Sequence, residues 1–532
     1  MATAIDTTSA SGTHDMRLVV SASAVGTIFE WYDFFIYGTL AASGIIGKAF
    51  FPAGNVTVQT LLAWAGFAVG FGFRPLGAVL FGYLGDRLGR KYTFLVTITV
   101  MGIATASVGL VPSAAAIGFA APAIILLLRI AQGLALGGEY GGAAIYVAEH
   151  APPGRAGYYT SFIQAGVAGG FILSLVVVLA VKAGCSEATW AAWAWRLPFV
   201  FSLALLAVSL WMRLKLSESP VFEAIRAAGE TARNPFVESF RYPGNWRRLF
   251  VAMIGIAAGL TVIWYTATFS VLSFTQQAMR LDSTVAQLVT GVGVLTGLFW
   301  FVFFGRLSDR IGRKRPIVIG YIATLLLLFP LFWAIGRAAN PDLATAAARA
   351  PVVVSGPACR YSPFAKRQAD RCGQMLDYFS KKGVAYTTVR APVTVVTVGG
   401  VTVDDPTPVR LDAVLAANGY KLDNVVPSAA GIVEMLLAIV ALGALSGATY
   451  GPVAALLAEM FPPRIRYSSM SIPYHIGCGY FGGFLPFISQ YVVARTGNPY
   501  AGLWYTWVVV AIALVVTALG LTETVPVAKR KR

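Results

Sequence analysis

The chain has 532 residues, 57% of them hydrophobic and only 12% charged, where a soluble globular chain carries about 25% charged residues. With a mean hydropathy of +0.69, this composition excludes a water-soluble globular protein and points to a chain that crosses the membrane many times. The net charge of +17 does not indicate nucleic acid, because lysine and arginine collect on alternate loops instead of forming one patch.

In chain order, residues 1–18 read as a polar cytoplasmic tail. The first apolar run contains Glu30 and Asp33, so it is not a cleavable signal peptide. Twelve apolar runs follow, near 19–46, 59–81, 92–111, 118–147, 158–182, 196–214, 248–275, 285–305, 316–336, 428–456, 468–494 and 501–521. Each approaches the ~20 residues that cross a hydrocarbon core of ~30 Å. They are continuous and not alternating, so helices are the expected spanning form. The predicted organisation is an N-terminal six-helix bundle (19–214), a cytoplasmic interdomain loop (215–247), helices 7–9 (248–336), an outer, periplasmic insertion (337–427), helices 10–12 (428–521) and a basic cytoplasmic tail (522–532). Arg87, Arg90, Arg213, Arg310, Arg313, Arg464 and Lys529 to Arg532 fall on one set of loops, so both termini are expected in the cytoplasm.

Two loop sequences recur. GYLGDRLGRK at 82–91 answers GRLSDRIGRK at 305–314, and EHAPPGRAGYYTS at 149–161 answers EMFPPRIRYSSMS at 459–471. Such internal repeats suggest two structurally equivalent halves. The first pair is offset by 223 residues and the second by 310, so the second half holds 87 additional residues between its helices 9 and 10. In this insertion, Phe364 to Lys382 suits an amphipathic helix. Val384 to Val389, Val393 to Val398 and Val401 to Asp404 suit strands, with a hairpin at Gly399-Gly400. A small α+β domain is expected, either a decorating spacer or an element that gates substrate or binds a partner. A Cys359–Cys372 bridge is open, since sequence does not show whether the thiols meet. The four cysteines form no metal-ligand pattern.

Ionisable residues inside spans are costly and so are candidate functional groups. Glu30 and Asp33 lie in run 1, Arg129 and Glu139 in run 4. An Asp33–Arg129 pair is expected, either coupling protons to cargo or only locking helices 1 and 4. Glu139, flanked by glycine pairs, suits proton relay or helix packing. Arg74 is assigned to snorkelling or a gate network near the cytoplasmic end, His475 to a structurally satisfied or titrating histidine, and Glu434 to the outer interface. Tyr37, Tyr140, Trp264, Tyr265 and Tyr474 are candidate cavity-lining aromatics.

These motifs resemble the major facilitator superfamily, and within it the metabolite:proton symporter family of osmolyte, α-ketoglutarate, citrate and shikimate carriers. GYLGDRLGRK is similar to the superfamily's inner-gate signature. The resemblance implies gating roles for Gly85, Asp86, Arg87, Gly89 and Arg90, and for their echo Asp309, Arg310, Gly312 and Arg313. Arg129, Gln132 and Gly133 resemble the helix 4 signature associated with proton-coupled transport. FEWYDFFIYG and GGEYGGA resemble hallmarks of the narrower family, which adds Glu30, Asp33 and Glu139 as coupling residues. The outer insertion departs from the family's compact pattern.

The expected fold is therefore all-α, with twelve transmembrane helices in two pseudo-symmetric six-helix bundles plus a small α+β insertion. The expected function is proton-coupled symport of a small organic carboxylate or zwitterionic osmolyte across a bacterial inner membrane. Arg129, Tyr37, Gln132, Tyr265, Tyr474 and His475 are the candidate substrate contacts. A proton-independent uniporter or exporter of the same fold, and a nontransporting sensor with a ligand-binding outer domain, are the alternatives. No enzyme constellation, cofactor, metal or nucleic-acid partner is expected, no nucleotide-binding loop is present, and the chain is expected to be monomeric.

Overall fold

The structure is a computed structural model that describes residues 16–51, 56–88, 90–138, 140–214, 235–357, 359–365, 367–462 and 465–522. Twelve long helical segments fill the spans. Helix 1 is Met16–Ala42, helix 2 Val56–Phe81, helix 3 Arg90–Leu110, helix 4 Ala120–Gly137, helix 5 Ala156–Ala183 and helix 6 Ala194–Met212. Helices 7 to 12 are Asn245–Ala278, Ser283–Ile311, Lys314–Ala339, Ala429–Met460, Arg466–Thr496 and Leu503–Gly520. Ten of these are individually long and apolar enough to cross a membrane. Helix 1 is diluted by Glu30 and Asp33, and helix 3 begins on the basic Arg90-Lys91 pair. Leu76, Leu110, Leu127, Trp211, Phe299, Leu326 and Leu437 point outward and exposed, a girdle that suits lipid.

Helix 1 packs along helix 5 in the first half, and helix 8 along helix 10 in the second. The halves meet where helix 5 lies against helix 8 and helix 2 against helix 11. Glycine permits the closest approaches, as membrane helices lacking a hydrophobic drive to associate require. A Cβ at Gly133 on helix 4 would strike the Gly70 carbonyl of helix 2, and one at Gly137 would sit 2.7 Å from the Ala78 amide nitrogen. Helices 7 and 11 are locally widened into π turns, at Val251–Ala258, Thr266–Ser270 and Phe274–Ala278 in helix 7 and at Gly477–Gly483 in helix 11. Such turns are concentrated at functional sites.

An even number of crossings puts the two ends of the helical array on one side, the terminus side, and the insertion between helices 9 and 10 on the other. Asn340 stops helix 9 and caps the helix Pro341–Arg349 by accepting from the Leu343 amide at 3.0 Å. The insertion is an α+β domain. Its sheet has the order β2-β1-β3-β4, from β1 (Val352–Gly356), β2 (Tyr386–Arg390), β3 (Val395–Val398) and β4 (Val401–Thr402), with β1 parallel to β2 and antiparallel to β3. The hairpin turns on Gly399 and Gly400, both at positive φ. The central strand β1 and the helices Pro341–Arg349 and Pro408–Ala417 were not expected from sequence. The expected helix from Phe364 begins only at Arg371, because Asp370 caps it by accepting from Gly373 N at 2.6 Å. Val354, Leu376, Phe379, Val396 and Leu411 form a separate small core, and Cys359 and Cys372 are bridged with Cα atoms 5.2 Å apart.

The domain is fastened to the second half. Tyr386 N donates to Gly497 O at 3.2 Å, and Arg280 donates to the Leu422 carbonyl at 2.8 Å and to the Lys382 carbonyl. Val425 pairs with the Arg280–Asp282 main chain.

A buried cationic site between the two bundles

Helix 1 turns Trp31, Phe34, Phe35 and Tyr37 inward, and helix 2 adds Trp64, Phe67 and Phe71. Tyr265 and Phe269 of helix 7, stacked at 5.8 Å, pack against Phe71 (5.4 Å) and Phe67 (5.2 Å). This aromatic mass joins the halves at the molecule's centre. Within it sit two arginines of zero exposure, Arg74 and Arg129.

Arg129 lies over the rings of Phe34 (4.2 Å) and Tyr37 (4.5 Å). Its Nη1 donates to Gln132 Oε1 at 2.6 Å and its Nε to Gly66 O at 3.4 Å, while Nη2 has no hydrogen-bond partner. Gln132 Nε2 donates to Thr105 Oγ1 at 2.6 Å, and Thr105 reaches the Asp33 carbonyl at 3.3 Å. The expected Asp33–Arg129 ion pair is therefore corrected. Among the described residues no ion pair joins them; a Gln132–Thr105 relay to the Asp33 main chain stands in its place. The Asp33 carboxyl faces Ser202 of helix 6 and leaves Oδ1 without a partner. Arg129 is occupied by aromatic faces and by its own helix's glutamine, which explains why it does not reach the acid. Glu30 is buried one turn before Asp33.

Arg74 corrects a second expectation. It neither snorkels nor reaches a gate: it stacks near Trp31 (5.1 Å) and Phe71 (5.0 Å), and none of its three guanidinium nitrogens has a hydrogen-bond partner. Tyr265, His475 and Cys478 of the opposite half lie near its charge, and Tyr265 also lies near Arg129. His475 is fully buried with both ring nitrogens unpartnered, so it is not the satisfied structural histidine expected. Beside it, Tyr474 and Tyr450 share a hydrogen bond of 2.7 Å, and Thr261 meets Cys478 at 2.9 Å. Tyr37 donates to Ala63 O at 3.1 Å. Thus Arg129, Gln132, Tyr37, Tyr265, Tyr474 and His475 gather at the centre, and Arg74, not expected there, lies with them. A signal existed in sequence, an arginine followed by proline well inside an apolar run.

On the terminus side, Asp309 accepts from the Gly157 and Tyr158 amides at the start of helix 5, both at 2.8 Å, where a helix N-terminus favours negative charge. Arg313 bridges Asp309 (2.7 Å) and Glu459 (2.8 Å), and Gly312, at φ 95°, ends helix 8. Arg466 pairs with Glu149 across the halves at 2.8 Å. Arg310 is exposed and stands outside this network. Gly85, Asp86, Arg87, Gly89, Arg90 and Glu139 lie outside the residues whose side chains are described.

Residues 19–355, more than half of the chain, match the family described as Major Facilitator Superfamily. The chain belongs to the major facilitator superfamily. This member of the superfamily is 37% identical over 325 residues to a shikimate transporter of Escherichia coli strain K12, across 60% of this chain and 72% of that protein. It is 37% identical over 325 residues to the glycine betaine/proline/ectoine/pipecolic acid transporter OusA of Dickeya dadantii strain 3937, across 60% and 64%. These alignments span about two thirds of each relative's length. The xylose transporter XylE of E. coli, in a partially occluded inward open conformation, superposes with a TM-score of 0.60 over 96% of this chain and 98% of that one, at 15% identity, and so supports the fold alone. Fold and relatives are those of multi-pass membrane transporters of small molecules and not of enzymes, and the superfamily member described here is such a transporter.

Proposed function

We propose that this transporter takes up a small organic carboxylate together with protons, by alternating access, in a bacterial inner membrane. Its terminus side then faces the cytoplasm and its insertion side the periplasm, in keeping with the basic loops of the terminus side. One observation carries the reading: Arg74 and Arg129 are fully buried, and four of their guanidinium nitrogens lack a hydrogen-bond partner. A buried cation without a counter-charge costs several kcal/mol, and an arriving carboxylate relieves that cost by accepting from guanidinium in bidentate fashion.

Asp33 supplies the proton site. In this scheme the buried Asp33 takes up a proton as the substrate anion binds, so that the anion's charge and the proton's enter the site together. Gln132 and Thr105 tie Arg129 to the Asp33 main chain, so helices 1 and 4 are connected with no direct ion pair to break. Glu30, on the same helix, is an accessory proton group in this scheme.

A zwitterionic osmolyte is the second reading, favoured by the ring faces of Phe34, Phe67, Phe71 and Tyr265, which suit a quaternary ammonium while an arginine takes the carboxylate. Proteoliposome uptake of shikimate, succinate and glycine betaine under an imposed inward proton gradient tests both. Concentrative uptake of a carboxylate that collapses when the gradient is removed is expected. Flux indifferent to the gradient sinks symport, and accumulation of betaine alone favours the second reading.

A further inference from the structure

A cavity of about 450 Å³ opens on the insertion side, away from the central arginines. Its walls come from three sources: the rim of the first half (Ser43, Lys48, Thr57), the outer turns of helix 7 (Ser273, Gln276) with Arg280, and the outer domain (Lys381). Its floor is the π turn Phe274–Ala278, and Gln277 Nε2 latches the halves there by donating to Ala42 O at 3.1 Å.

Three polar atoms in this wall are buried without a partner: Ser273 Oγ, Gln276 Nε2 and Arg280 Nε. Ser273 is 1% exposed. All three can donate hydrogen bonds, and buried donors are normally satisfied. The lining cations are Lys48, Arg280 and Lys381; no carboxylate lines the cavity among its described residues. The acids nearby are Asp377, held on Lys381 at 2.6 Å, Asp423, near Arg280, and Asp282, whose Oδ1 accepts from the Thr284 and Val285 amides at the start of helix 8. Lys381 keeps further donor hydrogens beyond that contact. A group that only accepts, and carries negative charge, fits three orphan donors ringed by cations.

We propose that this vestibule is a binding site for a small organic carboxylate on its way to the central arginines, completed by the outer domain. The insertion is then part of the transport path and not a decoration. The identity of the ligand rests on the carboxylate reading above; the site itself does not require the central arginines.

The test uses the full-length protein in proteoliposomes with Ser43→Cys as reporter in a Cys185→Ala background. Cys359 and Cys372 are bridged and Cys478 is buried, so a membrane-impermeant maleimide reports position 43. Succinate and shikimate are the probes, with glycine betaine as control. Either carboxylate is expected to slow labelling at least threefold once near-saturating, also when Arg129→Ala is added. Lys48→Gln with Gln276→Met should raise the carboxylate concentration needed by about tenfold, as loss of hydrogen bonds to a charged group does. Carboxylate uptake without any protection of position 43 overturns the vestibule. So does protection that vanishes with Arg129→Ala yet survives Lys48→Gln with Gln276→Met. Protection without carboxylate uptake supports the vestibule and counts against the function proposed above, so the two failures are distinguishable.

Discussion

The two bundles share a scaffold and differ in chemistry. In the first half, helices 1, 2 and 4 bury Glu30, Asp33, Arg74 and Arg129; in the second, the spans bury His475 and a set of neutral donors and acceptors, Tyr265, Thr261, Cys478 and the Tyr450–Tyr474 pair. No described ion pair crosses between the halves at the centre. This matters for opening, because parting a buried ion pair costs about 3–5 kcal/mol. Charge kept within one half lets the other swing away without parting an ion pair. The contacts of charged groups that do cross among the described residues lie at the two rims: Asp309 to the helix 5 amides and Arg466 to Glu149 on the terminus side, and Lys182 to Ser283 and Thr284 on the insertion side; there water replaces a broken contact.

The largest expected effect falls on the acid. Asp33→Asn should abolish accumulation while leaving exchange down a gradient; full accumulation by this variant would end its role as the proton site. Next, Arg74→Ala should weaken carboxylate binding by about 10- to 100-fold, measured by titration calorimetry, whereas His475→Ala in the neutral half should cost less. A larger loss with His475→Ala would reverse the comparison. At the rim, Asp309→Asn removes a charge from the helix 5 N-terminus and from Arg313. It should shift the population toward the state open on the terminus side by about 5- to 30-fold, for an interaction worth about 1–2 kcal/mol, read as spin-label distances across the gate. The smallest change is Tyr450→Phe, which deletes one neutral hydrogen bond of about 1 kcal/mol. It should lower thermal stability slightly and leave proton coupling intact; loss of coupling would show that the second half is not merely a neutral wall.

Sequence legibility varied in the same way from region to region. The hairpin at Gly399-Gly400 and the strand before it were readable because their signals are local. β1 was not, since VVVSG is a short apolar stretch whose partners, Tyr386–Arg390 and Val395–Val398, lie more than thirty residues on. The shifted helix start at Arg371 depended on Asp370 acting as cap, which several nearby polar residues could have done equally well. At the site, Arg129 and Asp33 were found because charge in hydrocarbon is conspicuous, but their partnership was inferred from depth alone. Arg74 was misjudged for the same reason.

Sequence by itself marked roughly where the spans lie and that a polar insertion separates helices 9 and 10, because hydropathy and loop charge are properties of contiguous residues; the run expected at 118–147 is in the structure the helix Ala120–Gly137 followed by a second helix, Tyr140–His150. The tertiary structure alone decided which buried groups meet. A span that is apolar on every face carries no amphipathic stripe to set its rotation. That rotation comes instead from contacts such as Gly133 against Gly70 and Gly137 against Ala78. Those contacts bury Arg74 without a hydrogen-bonding partner and turn Arg129 onto Phe34, Tyr37 and Gln132 in place of Asp33.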